Sequence, residues 1–92
     1  MIEGFRHKGL RRFFEEDDSQ KLPPQMAERI REILTALDCA GTLDELSLPS
    51  FRLHPLKGDL KGFWAVTVRA NWRIVFRFED GKAFDVDLVD YH

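Results

Sequence analysis

A single cysteine, Cys39, is all the thiol this chain contains. No intrachain disulfide can form, and a zinc site built on paired cysteines is excluded. That sparsity suits a reducing compartment, so a cytoplasmic protein is expected. Cys39 itself reads as a small apolar residue near a helix end. Long hydrophobic runs are missing as well. No stretch approaches the roughly 20 apolar residues that a membrane span needs. Glu3, Arg6 and Lys8 bring charge into the N-terminus before a signal-peptide core forms. Internal repeats and low-complexity segments are absent too. Nor is there a large excess of either charge, with 14 Lys and Arg against 16 Asp and Glu. General stickiness toward nucleic acid is therefore not expected.

The placement of charge says more than its sum. From Phe51 to Arg77 the cations are Arg52, Lys57, Lys61, Arg69, Arg73 and Arg77, with Asp59 the single acid. From Phe78 to His92 the acids are Glu79, Asp80, Asp85, Asp87 and Asp90, against Lys82 alone. A basic patch inside a slightly acidic chain can hold a polyanion locally. At 92 residues, 43% hydrophobic and 33% charged, the composition predicts one globular domain over residues 1–92.

Helical periodicity dominates the first half. Met1 to Phe5 is a short candidate strand. Leu10, Phe13 and Phe14 recur at helical spacing within His7 to Glu16, which predicts a first helix. Pro23-Pro24 marks the start of a second. Its stripe of Met26, Ile30, Ile33, Leu34 and Leu37 predicts an amphipathic helix with Glu28, Arg29, Arg31 and Glu32 on the wet side and Gly41 at the end. Thr42 to Glu45 has capping-box spacing. After Ser50 the period becomes two. Trp64, Val66 and Val68 alternate with Ala65, Thr67 and Arg69; Trp72, Ile74, Phe76 and Phe78 alternate with Arg73, Val75, Arg77 and Glu79; Phe84, Val86 and Leu88 alternate with Asp85 and Asp87. These are half-buried strands joined by tight turns at Ala70-Asn71 and Asp80-Gly81. The expected fold is α+β, with two N-terminal helices packed on one face of a mostly antiparallel four- to five-stranded sheet.

Parity then assigns the polar residues. With Phe51 and Leu53 toward the helices, Arg52 and His54 point the other way, together with Arg69, Arg73 and Arg77. Strict alternation puts Val89 on that face, leaving open how the closing Asp90-Tyr91-His92 reaches it. Phosphodiester cleavage is chemistry these side chains can perform. Lys57 and Arg73 are candidate phosphate holders, stabilising charge that grows on the phosphoryl oxygens. His54 and His92 are candidate proton carriers, histidine being the side chain that ordinarily titrates near neutrality. Asp90 is suited to orient an imidazole, Tyr91 to stack on a base, and Asn71 to read a base edge. With a 2′-hydroxyl as nucleophile no metal or other cofactor is needed, and the substrate is RNA. A zinc site of His54, His92 and Asp90 matches no recognised spacing. Plainer roles exist for each residue: surface histidines, solubilising arginines paired with Asp85 and Asp87, and Trp64 and Trp72 as packing residues.

The runs Phe51-Arg52-Leu53-His54-Pro55-Leu56-Lys57-Gly58, Trp64 to Phe76, Val86 to His92, and Phe5-Arg6-His7-Lys8-Gly9-Leu10 resemble the HigB branch of the RelE-like toxins. The resemblance implies a toxin of a type II toxin–antitoxin system, a small ribonuclease that cuts messenger RNA in the ribosomal A site. It implies His54, Asp90, Tyr91 and His92 as the catalytic cluster, with His92 as general base or acid and His54 in support. Lys57 and Arg73 become phosphate contacts and Asn71 a base contact. It also implies a helix-turn-helix antitoxin as partner, with operator DNA met only through that antitoxin. Two rivals stand beside it: a non-catalytic basic sheet that binds RNA or protein, and a toxin of this fold that poisons DNA gyrase.

Overall fold

Helix α2, Ala27–Cys39, carries the stripe foreseen from its spacing, with Ile30, Ile33, Leu34 and Leu37 all buried. A 13-residue helix is marginal alone in water. Burying four aliphatic side chains contributes roughly 6–12 kcal/mol before entropy is counted, so tertiary packing holds this helix. Pro24–Met26 forms the 3-10 turn that leads into it. Its end differs from expectation: Ala40, in extended conformation, closes it. Gly41 instead gives its N–H to Glu45 Oε2 at 2.7 Å, within the Thr42–Glu45 capping box. Cys39, on the last turn, is exposed rather than apolar filling. Helix α1, Lys8–Glu16, adds Leu10 and Phe13 to the core, and His7 caps it by accepting the Leu10 N–H on Nδ1 at 3.1 Å.

In this computed structural model, which describes residues 1–90, four strands follow. They are β1 (His54–Pro55), β2 (Trp64–Arg69), β3 (Trp72–Glu79) and β4 (Lys82–Asp90), antiparallel in the order β1-β2-β3-β4. The N-terminal segment lies parallel to β4 through bridges Ile2 to Ala83 and Phe5 to Val86, serving as a partial fifth strand. Both two-residue turns occur as expected, and Asp80 and Gly81 take φ of 49° and 75°. Val66, Val68, Ile74, Phe76, Ala83, Val86 and Leu88 meet the helices in one core, with Trp64 and Trp72 packed against it.

Two expectations about faces need correction. Phe84 was assigned to the core with Val86 and Leu88, yet Ala83 takes that place. The register between β3 and β4 shifts between Val75 and Arg77, and Asp85 has φ 54°, so a bulge resets the alternation. Phe84 therefore pairs with Arg77 on the opposite face, beneath its guanidinium at 5.3 Å. That second face is also less open than parity suggested. Leu56, Phe63, Ala65 and Val75 form a small separate core there, because the segment between β1 and β2 folds over it. Arg69 leaves this face as well: after the irregularity between Thr67 and Arg69 it pairs with Trp72 and lies beside Pro23 and Met26.

Candidate active site at one end of the sheet

The start of β3 lies between Thr67 of β2 and Val89 of β4, and Arg73 occupies that place, on the face away from the helices. Val89 is on this face, as strict alternation required. The Arg73 guanidinium is held by two carbonyls, Nη1 donating to Ala70 at 2.7 Å and to Trp72 at 3.1 Å. Ala70 has φ 49°, a left-handed conformation that costs a residue with a Cβ, so the turn stores strain beside the site. Arg73 Nε is buried and finds no acceptor among the described residues. No carboxylate among the described residues forms an ion pair with Arg73, whereas Arg77 on the same strand pairs with Asp85 at 2.9 Å and Glu79 at 3.8 Å. The plain role foreseen for these arginines thus fits Arg77. It does not fit Arg73.

His54 stands opposite Ala65, which in turn pairs with Val75, so its side chain is on the face of Arg73. Strand spacing and rise put the two Cα atoms roughly 12 Å apart, with the side chains able to converge on one group between them. The imidazole is exposed, and its Nδ1 lies 2.9 Å from the Arg52 carbonyl. A carbonyl only accepts, so Nδ1 carries the proton and donates; in the neutral ring Nε2 is then the free lone-pair site. Phe51 and Arg52 lie in a turn, where Arg52 has φ 50°, so the strand begins only at His54 and β1 is two residues long.

Arg29 positions this turn, a role its place on the wet side of α2 did not announce. Its Nη2 donates to the Ser50 carbonyl at 2.6 Å and the Thr67 carbonyl at 3.2 Å, and its guanidinium lies 5.0 Å from the centre of the Phe51 ring. Glu32 grips its other nitrogen. Thr67 N–H also donates to the Phe51 carbonyl at 2.8 Å, so the segment before His54 is tied to the strand that flanks Arg73.

The remaining candidates are distributed around this end. Asn71 is exposed in the turn that precedes Arg73. Lys57 is exposed three residues on from His54, past the end of β1 and further than His54 from the row of Arg73. Asp90 is exposed and stands opposite Trp72, a register that puts it on the helix side of the sheet end, one row from Val89. Tyr91 and His92 lie outside the described residues. No cluster of three potential metal-ligating side chains occurs among the described residues. No helix there is long and apolar enough to cross a membrane.

Comparison with known proteins bears on the family and the fold. Residues 3–92 match the family model described as the RelE-like toxin of type II toxin–antitoxin system HigB. The chain is 47% identical over 92 residues to Endoribonuclease HigB of Proteus vulgaris, covering 100% of both. It is 33% identical over 86 residues to Toxin HigB-1 of Vibrio cholerae, covering 91% of this chain and 90% of that protein. Among solved structures, the YoeB–YefM toxin–antitoxin heterotetramer of Staphylococcus aureus shares the fold at a TM-score of 0.62 and 17% identity, over 100% of this chain and 98% of the other. YafQ of E. coli does so at 0.59 and 16%, over 98% and 91%. The α+β architecture of two helices on an antiparallel sheet is that of these toxins, and the chain belongs to the HigB family of RelE-like toxins of type II toxin–antitoxin systems.

Proposed function

We propose that this protein is an endoribonuclease that cuts messenger RNA in the ribosomal A site without a metal ion, and that a helix-turn-helix antitoxin restrains it. The observation that supports it most is Arg73: a half-buried arginine that, among the described residues, has no carboxylate partner and no acceptor for its Nε. A guanidinium already braced by the Ala70 and Trp72 carbonyls offers its charge to a phosphate without reorganising. The name of the Proteus vulgaris relative points to the same activity.

In the proposed reaction Arg73 and Lys57 hold the scissile phosphate and stabilise the charge that develops on its oxygens. A 2′-hydroxyl attacks the adjacent phosphorus. Its proton passes to an imidazole, and the leaving 5′-oxygen receives a proton in turn. His54 offers Nε2 for one of these transfers, and the family resemblance assigns the other to His92, with Asp90 and Tyr91 beside it. Asn71, in the turn, is suited to read a base edge.

The test is to express the protein and map the new ends of cellular RNA and DNA. Cuts within translated reading frames, at a fixed position in the codon, are the expected result. Double-strand DNA breaks with intact messages would identify the gyrase-poisoning alternative, and growth arrest with neither lesion would identify a binder that does not cut.

A further inference from the structure

The start of α1 forms one wall of a 660 Å³ groove lined by Arg6, Lys8, Arg11, Arg12, Lys21 and Asp87. Five cations thus meet one acid, in a part of the chain whose charge balance looked unremarkable. Gly9 makes the groove possible. A Cβ there would lie 2.7 Å from Lys21 Cβ and 2.8 Å from the His7 ring, so only glycine lets the loop bearing Lys21 close on the first turn of the helix. Arg6 approaches Asp85 at 4.0 Å and Arg12 approaches Asp18 at 3.8 Å. Lys8, Arg11 and Lys21 are exposed and have no ion-pair partner among the described residues. Uncompensated like charges gathered in a concave site repel one another unless a polyanion enters.

The groove adjoins the face that carries His54 and Arg73: its Asp87 lies one strand spacing and two residues from Arg73, roughly 8 Å between Cα atoms, and further from His54. Asp87 pairs with Val75, which pairs with Ala65, which pairs with His54; three strand spacings make this roughly 14 Å. Between the two lies the segment that carries Lys57 and Lys61, and Arg6 covers its Phe63 at 5.1 Å. His7 and Gly9 complete the lining, and no aliphatic side chain and no Phe, Tyr or Trp is part of it. A protein partner anchors through buried apolar side chains, and a membrane surface takes up apolar ones; neither finds a hold here. A phosphate backbone needs only cations.

We propose that this groove is a second RNA site, which grips a phosphate backbone away from the scissile bond and supplies affinity rather than chemistry. It rests on the endoribonuclease reading above. The test compares the intact protein with the Lys8→Ala, Arg11→Ala, Lys21→Ala triple variant on message-bearing ribosomes, across a salt series. Expected are a rise in KM of roughly tenfold or more, a kcat that holds, and a salt slope of kcat/KM reduced by about three, one per cation lost. A Lys8→Arg, Lys21→Arg variant should retain the parent KM, and a thermal melt equal to the parent's separates binding from folding. An unchanged KM and slope would overturn the proposal, as would a fall in kcat alone. Weakened antitoxin binding with cutting intact would assign the groove to a protein partner and overturn it too. If the parent cuts no RNA, the proposed activity fails, while RNA binding by fluorescence anisotropy over the same salt series still decides the groove.

Discussion

Arg73 is the side chain whose environment departs furthest from that of an ordinary surface arginine. Its neighbour on the strand, Arg77, is occupied by Asp85, Glu79 and the Phe84 ring, while Arg73 is braced by two backbone carbonyls and has no anion beside it among the described residues. Bracing matters because a donor fixed before the reaction stabilises the transition state without reorganising. Replacing Arg73 with Ala should lower the single-turnover rate on ribosome-bound message by about 100-fold, the scale of losing one such donor. Lysine restores charge without the planar fork and should recover part of that loss. A rate within twofold of the parent for the alanine variant would remove Arg73 from the site. The sequence singled out Arg73 by type and parity, but it could not separate it from Arg69 and Arg77. That separation comes from where each guanidinium's partners lie, and a one-residue irregularity after Thr67 was enough to send Arg69 to the other face.

Strand β4 shows why period-two reading goes astray in the middle of an element. Alternation holds from Val86 to Leu88 and again from Ala83 to Phe84, but the two stretches are out of phase by the bulge at Asp85. A single aspartate in αL conformation carries no pattern of its own in the sequence, since Asp tolerates that region as readily as it fills a polar strand face. The bulge makes a stability prediction. Asp85→Gly keeps the left-handed backbone and gives up a partly exposed ion pair with Arg77, so it should change stability by no more than about 1 kcal/mol. Asp85→Ala gives up the pair and strains the backbone as well, and should cost about 1–2 kcal/mol more than the glycine variant. Chemical denaturation of the two side by side measures the difference, and equal midpoints would contradict the strained bulge. The buried face of helix α2, by contrast, was legible, because four buried aliphatics at helical spacing outweigh any local signal; its bounds were not, since a 3-10 turn takes up Pro24–Met26 at the start and Ala40 rather than Gly41 closes the end.

The molecule as a whole puts its main core on one side of the sheet and a smaller one on the other, and gathers cations on that second face and in the groove at α1. Fold class and strand order followed from the switch of period near Ser50, and the location of His54 and Arg73 followed from parity. The small second core of Leu56, Phe63, Ala65 and Val75 did not, because a loop folding back over a sheet leaves no periodic trace. Neither did the groove at α1, whose cations come from separate segments brought together by the close approach at Gly9. The reaction proposed for the sheet end, internal attack without a metal-activated water, makes the 2′-hydroxyl of the target indispensable. A message-bound ribosome carrying one 2′-deoxynucleotide on the 5′ side of the cut should therefore resist the enzyme, while the all-ribose message yields an upstream fragment ending in a 2′,3′-cyclic phosphate or its hydrolysed 3′-phosphate. Undiminished cutting of the deoxy-substituted message, leaving a 3′-hydroxyl, would show that the chemistry proposed for His54 and Arg73 is wrong.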